Sequence, residues 1–209
     1  MKNGGDTHAA RSNARLSIDG VRDRIRRHTY RPITTDETDI GAAVLVPLYE
    51  LGGEVHVVLT KRTMQMSTQK GHIAFPGGRR EPGDRDLLAT ALRESFEEIG
   101  LDPTHVEIFG RIDDFSTRDG AILIAGFVGL IDAAALPYPW RPAEREVAEI
   151  LEVPLRHLLD PQNVIVAEPR ELNGRMWPDE TFLFRGHRVF GATARALRHF
   201  LDIAFSKIT

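Results

Sequence analysis

Apolar and polar residues along this chain alternate in short β-type runs, interrupted by two stretches of helical periodicity. Residues 42–48 and 55–60 are apolar and β-branched, and Gly52-Gly53 between them marks a turn. Residues 73–75 predict a third short strand, stopped by Pro76-Gly77-Gly78. A helix is predicted from about residue 85 to 99, where Asp84 or Asp86 can cap the start and Gly100 followed by Pro103 ends it. At about 100° per residue, Leu88, Leu92, Ser95 and Ile99 fall within roughly 60° of arc. That stripe should face the core.

Further strands are predicted over residues 106–110, 122–130 and 147–153, then a short helix over 155–159 and strands over 164–167 and 181–184. The last helix covers 191–205, with Ala194, Leu197, Leu201 and Phe205 near one face. Strands with one central and one terminal helix predict a single α/β or α+β domain. Upstream, residues 1–13 are polar without periodicity and read as a disordered tail, extending to residue 15. Residues 16–28 read as a short helix with Leu16, Val21 and Ile25 loosely on one side, opening an arm over 16–38; the main domain is expected over 39–207. Arg22, Arg24, Arg26 and Arg27 on that helix could touch phosphates, but Asp19 and Asp23 dilute them, so a solvated face is the stronger reading.

Composition narrows the class. The 209 residues are 42% hydrophobic and 27% charged, which suits a globular domain with a real core. The longest apolar stretch, 121–131, is too short to span a bilayer, and the first 30 residues are too polar for a signal peptide. A cytoplasmic location without membrane contact is expected. With no cysteine there is no disulfide, thiolate metal site or cysteine nucleophile. A net charge of −3 and the lack of a basic motif argue against nucleic acid. The eight histidines show no ligand spacing, which disfavours a zinc hydrolase.

Candidate chemistry is concentrated on the first predicted helix. Glu94, Glu97 and Glu98 share a sector roughly 100° wide. Carboxylates so close repel one another unless a positive charge is present. Arg93, four residues before Glu97, offsets part of this, and a divalent cation would offset the rest. Clustered carboxylates suit a hard ion such as Mg²⁺ or Mn²⁺; such ions neutralise phosphate charge and acidify water. The Gly77-Gly78 turn lets backbone approach closely. On their own, the three glutamates read more readily as a solvated helix face.

The stretch from Gly78 to Leu101, 24 residues long, resembles the Nudix box. Gly78 matches its first glycine, and Arg93-Glu94-Ser95-Phe96-Glu97-Glu98-Ile99-Gly100-Leu101 matches its end, with Ser95 at a usually apolar position. Asp84 stands for the middle glutamate, with eight residues before Arg93 where the box has seven. The resemblance implies an αβα sandwich with a mixed sheet, and metal-dependent cleavage of a nucleoside-diphosphate-linked small molecule. Arg93, Glu94, Glu97 and Glu98 would be catalytic; the glutamates and the Gly78 backbone would hold the metal. A later loop acid often joins such sites, and Glu146, with Glu144 and Glu149 as rivals, is the candidate.

A second resemblance points to the coenzyme A pyrophosphatase branch. Leu59-Thr60-Lys61-Arg62-Thr63, Gly71-His72-Ile73-Ala74-Phe75-Pro76-Gly77-Gly78, Val153-Pro154-Leu155 and Phe190-Gly191-Ala192-Thr193-Ala194 are similar to its segments. It implies the diphosphate of coenzyme A as substrate, split into phosphopantetheine and adenosine 3′,5′-bisphosphate. Lys61, Arg62, His72, Gly77 and Arg118 are the substrate-binding candidates, and a second copy of the chain a candidate partner. Where the branch has Arg, His and Gln, this chain has Ser67, Gln69 and His72. ADP-ribose or a dinucleotide therefore stays open as substrate, and so does a non-catalytic nucleotide-binding module. The segment Asp113-Asp114-Phe115-Ser116-Thr117-Arg118 is expected as a loop lining the substrate cleft.

Overall fold

The computed structural model describes residues 17–33, 40–65, 69–117, 120–172 and 175–205. The tail expected over 1–15 lies outside them. Strands β1 (Ile40–Leu51) and β2 (Glu54–Arg62) form a hairpin. Its two turn residues, Gly52 and Gly53, both take positive φ, 62° and 78°, as a tight hairpin turn requires. β1 and β2 pair only beside this turn, residues 48–51 with 54–57, and then diverge. Beyond that point β3 (Ile73–Ala74) pairs with β2, and β4 (Gly77–Arg79) pairs with residues 42–44 of β1. The Pro-Gly-Gly run expected to stop a strand thus starts one. Tertiary pairing decides this, because glycines without side chains lie flat against β1.

Helix α1 (Ile18–Arg27) precedes the sheet, and helix α2 (Leu87–Ile99) follows β4. Strands β5 (Val106–Ser116), β6 (Leu123–Ile131) and β7 (Val147–Pro154) complete the sheet. Its seven strands run β3-β2-β1-β6-β5, with β4 beside β1 and β7 beside β2; β6 is parallel to β1 and the other pairs are antiparallel. The short helix α3 (Leu155–Leu159) leads into a separate three-stranded sheet of β8 (Val164–Leu172), β9 (Arg175–Phe184) and β10 (His187–Val189). Helix α4 (Gly191–Phe205) closes the fold. β5 runs through Asp113 and Asp114, which were expected in a loop, absorbing them with a register shift between Ile112 and Phe115.

The sheet is covered on both faces, so its central strands are apolar on both sides. Ile40, Ala43 and Leu45 of β1 pack with Leu87, Ala91 and Ile99 of α2. Val46 and Leu48 pack on the other side with Leu197, Phe200 and Leu201 of α4 and with Val21 and Ile25 of α1. Helix α1 is therefore built into the core. Its arginines are spent locally: Arg22 and Arg26 reach Glu107 at 2.7 and 2.8 Å, and Arg24 bonds the Gly20 carbonyl. In the described residues no helix is long and apolar enough to cross a membrane.

Candidate active site

Asp86, not Asp84, caps α2, accepting the Ala89 N–H at 2.7 Å; such a cap contributes about 1 kcal/mol. Gly100 ends the helix in the left-handed conformation. The buried edge of α2 is turned about one position from the predicted stripe. Leu87, Thr90, Ala91, Ser95, Glu98 and Ile99 are buried, whereas Leu88 and Leu92 are half-buried. A carboxylate has therefore moved into the core side of the helix. Glu98 is 5% exposed, and Glu97 alone among the three glutamates faces solvent.

Asp84, left free of the cap, holds Arg93. The guanidinium donates from Nε and Nη2 to the two Asp84 oxygens at 2.9 and 3.0 Å, a bidentate pair. The same arginine donates to Glu94 at 3.2 Å, Glu97 at 3.0 Å and the Arg79 carbonyl at 3.1 Å. Thr90 Oγ1 and the Glu81 N–H also donate to Asp84. These bonds, Arg93 first, hold the Asp84 carboxyl well below the usual carboxylate range and raise the guanidinium. The extra residue before Arg93 is absorbed ahead of the helix, and Asp84 works as the acid that aims the arginine. Sequence spacing left that role open; the side-chain directions decide it.

Glu98 accepts the Gly77 N–H through Oε2 at 3.1 Å and lies 3.9 Å from Arg62 Nη1. Burial pushes its carboxyl up to about 7, opposed by the Gly77 N–H and the Arg62 charge. Burial also raises Glu94, against the pull of Arg93. A β-carbon on Gly78 would collide with the Glu94 carboxylate, so a side chain there would push the end of Glu94 out of its place. Two acids whose negative form is penalised by burial, beside an exposed third and a bare backbone, make an oxygen-rich donor set that fits a hard divalent cation.

The backbone of the loop that carries Glu146 is anchored by Thr63, which donates its N–H to the Glu146 carbonyl and its hydroxyl to the Arg145 carbonyl, both at 2.8 Å. The Ala143 N–H bonds the Glu98 carbonyl at 2.9 Å. The charge on Glu146 raises both Glu94 and Glu98. Of the three loop glutamates, Glu149 pairs with His187 at 3.3 Å, and Glu144 and Glu146 are both exposed.

The substrate-binding candidates divide. Arg62 is beside Glu98, with its Nε buried and lacking a hydrogen-bond partner. Its N–H bonds the His72 carbonyl at 2.8 Å, and the His72 ring meets Phe190 edge-on at 4.8 Å. Lys61 is half-buried next in β2, in register with Ile73 and Glu149. Gly77 donates to Glu98. Arg118 and Ser67 lie outside the described residues. Asp113 to Ser116, expected at the substrate cleft, instead line a hollow with Arg195 and His199 of α4.

Residues 39–172 match the NUDIX domain, and the chain belongs to that family. It is 34% identical over 145 residues to the peroxisomal coenzyme A diphosphatase of Mus musculus, covering 69% of this chain and 60% of that protein. It is 35% identical over 156 residues to the mitochondrial coenzyme A diphosphatase of the same species, covering 73% of this chain and 72% of that one. A MutT/nudix family protein from Enterococcus faecalis has the same fold, with a TM-score of 0.51 at 14% identity, over 98% of this chain and 73% of that one. The expected mixed sheet with flanking helices and the likeness to coenzyme A diphosphatases are thus met. The cytoplasmic location remains an expectation; the two mouse relatives are named for other compartments.

Proposed function

We propose that this chain hydrolyses the diphosphate of coenzyme A or a derivative, giving phosphopantetheine and adenosine 3′,5′-bisphosphate, with Mg²⁺ or Mn²⁺. The observation that carries the reading is Glu98, buried, tied to Gly77 and flanked by Arg62, in the same cluster as Glu94, Glu97 and Arg93. Glu94, Glu97, Glu98 and the Gly78 backbone would hold the cation, with Glu146 at its edge. When bound, that cation neutralises the diphosphate and acidifies water. Arg93, fixed by Asp84, keeps Glu94 and Glu97 in place. Arg62, with Nη1 3.9 Å from Glu98, sets its guanidinium charge beside the site, where it can attract a phosphate. Water adds to one phosphorus, the bridging P–O bond breaks, and Glu98 can take the water proton at Oε1, the oxygen not bonded to Gly77.

Coenzyme A is favoured by the relatives' names and by adjacency. Segments 59–63, 71–78 and 190–194, separate in sequence, touch through Arg62, His72 and Phe190. Ser67, Gln69 and His72, where the branch carries Arg, His and Gln, favour a second reading, a Nudix hydrolase of ADP-ribose or a dinucleotide. The test is turnover of coenzyme A, acyl-coenzyme A, ADP-ribose, NADH and diadenosine polyphosphates with either cation. Cleavage of coenzyme A at the diphosphate is expected, falling at least about a hundredfold in Glu98→Gln. Preference for ADP-ribose would replace the substrate and keep the class. No turnover of any compound by folded, cation-binding protein would sink the hydrolase reading and leave the binding module.

A further inference from the structure

Beneath α1 and α4, on the face of the sheet away from α2, three side chains converge that the diphosphate chemistry does not use. His28 is the residue that ends α1, Asp113 lies in β5 and His199 in α4. His28 Nε2 is 2.7 Å from Asp113 Oδ1, and His199 Nε2 is 3.3 Å from Asp113 Oδ2. Among the described residues they form the one group of three potential ligands whose donor atoms all lie within 4.8 Å of one another. The rings meet edge to face at 5.9 Å, so both Nε2 atoms turn toward the carboxylate without stacking.

The Asp113 N–H donates to His199 Nε2 at 3.3 Å, so that nitrogen is the unprotonated one, and its lone pair reaches an ion only when this long hydrogen bond is given up. What separates the cluster from a plain hydrogen-bond clasp is a hollow of about 250 Å³ that Asp113 and His199 line with Ile33, Asp114, Phe115 and Arg195, with room for a water as fourth ligand. Arg195 is turned aside onto the Ser116 carbonyl. Arg31 supplies the competing charge, its Nε 3.9 Å from Asp113 Oδ2, but its side chain is 84% exposed and free to swing out; its N–H also bonds Oδ1 at 2.9 Å.

We propose that His28, Asp113 and His199 form a second cation site, selective for Zn²⁺ or a related d-block dication, that clamps α1 onto β5 and α4. Two imidazole nitrogens and one carboxylate suit such an ion, whereas Mg²⁺ prefers an all-oxygen shell. Tetrahedral Zn²⁺ holds its ligands at about 2.0–2.1 Å, so the donors need to re-aim around the ion without moving their backbones far. A ligand set drawn from three elements ties the N-terminal helix to the domain, and ion binding then favours the folded state by linkage. The site is independent of the reaction proposed above.

The experiment uses the full chain, stripped with a chelator and dialysed against Zn²⁺ in a large excess of Mg²⁺. The expected result is one retained Zn²⁺ per chain and a Tm that rises with Zn²⁺. His199→Ala and His28→Ala, each checked for folding by circular dichroism, should lose both the ion and the Tm rise, while Glu98→Gln should keep them. Mg²⁺-supported turnover, where present, should be unchanged in His28→Ala. Wild type that retains no Zn²⁺, or histidine variants that bind it as wild type does, would overturn the site. A Tm lowered by His28→Ala yet indifferent to Zn²⁺ in wild type would show a hydrogen-bond clasp in its place.

Discussion

Helices α2 and α4 cover opposite faces of one sheet, yet they bury different chemistry. The face of α4 against the sheet is apolar: Ala194, Leu197, Phe200, Leu201 and Ala204 are each at most 1% exposed. The face of α2 includes Thr90, Ser95 and Glu98, all at most 5% exposed. A buried carboxylate penalises folding unless it is paired or protonated. α2 compensates with Gly77, Arg62 and the Asp84–Arg93 pair, and each of these also sets the geometry of a site. The terminal helix stabilises; the box helix gives up stability to hold charge where it can act.

The largest test of this division is Phe200→Ala. Removing a fully buried aromatic side chain should cost about 3–5 kcal/mol in urea unfolding, while the cation affinity of the remaining folded protein stays as in wild type. A parallel loss of cation binding would show that the two faces are coupled.

Next is the pH dependence of Glu98. Its carboxyl is raised in the folded state, so the folded protein binds that proton more tightly than the unfolded chain does. The contribution is present below about pH 4.5 and is lost as pH rises through about 7. In cation-free buffer, Glu98→Gln should therefore gain stability relative to wild type between pH 5 and 8, by up to about 3 kcal/mol, and Mg²⁺ should shrink the gap. A difference that stays flat over that range would show that burial does not hold the proton on Glu98.

The smallest effect is expected from Asp84→Ala. Arg93 would lose its bidentate partner but is partly solvated, so the cost should be about 1–3 kcal/mol by denaturation. Cation affinity should fall too, because Glu94 and Glu97 lose a fixed neighbour, and Asp84→Glu should restore part of it. Loss of stability with unaltered cation binding would reduce Asp84 to a structural anchor.

Much of this molecule is legible in one dimension. The two long helices, the hairpin over β1 and β2 and the box acids follow from local pattern, because periodicity, caps and glycine turns act over a few residues. The strand character of Gly77 and Gly78 was not legible, since it depends on β1 offering an edge. Nor was the length of β5, where pairing with β6 carries the chain through two aspartates. The rotation of α2 that buries Glu98 depends on how that helix settles against β1 and β4, and a few tens of degrees exchange Leu88 for a carboxylate.

Sequence alone determined that Arg93, Glu94, Glu97 and Glu98 lie together on one helix, through the 3.6-residue period, while the chemistry expected of them came from the resemblance of the whole stretch to the Nudix box. Only the tertiary structure decided which acid aims Arg93, and that His28 meets Asp113 and His199. Those pairs stand 85 and 86 positions apart, and no local rule links residues at such separations; packing of α1 and α4 against β5 does.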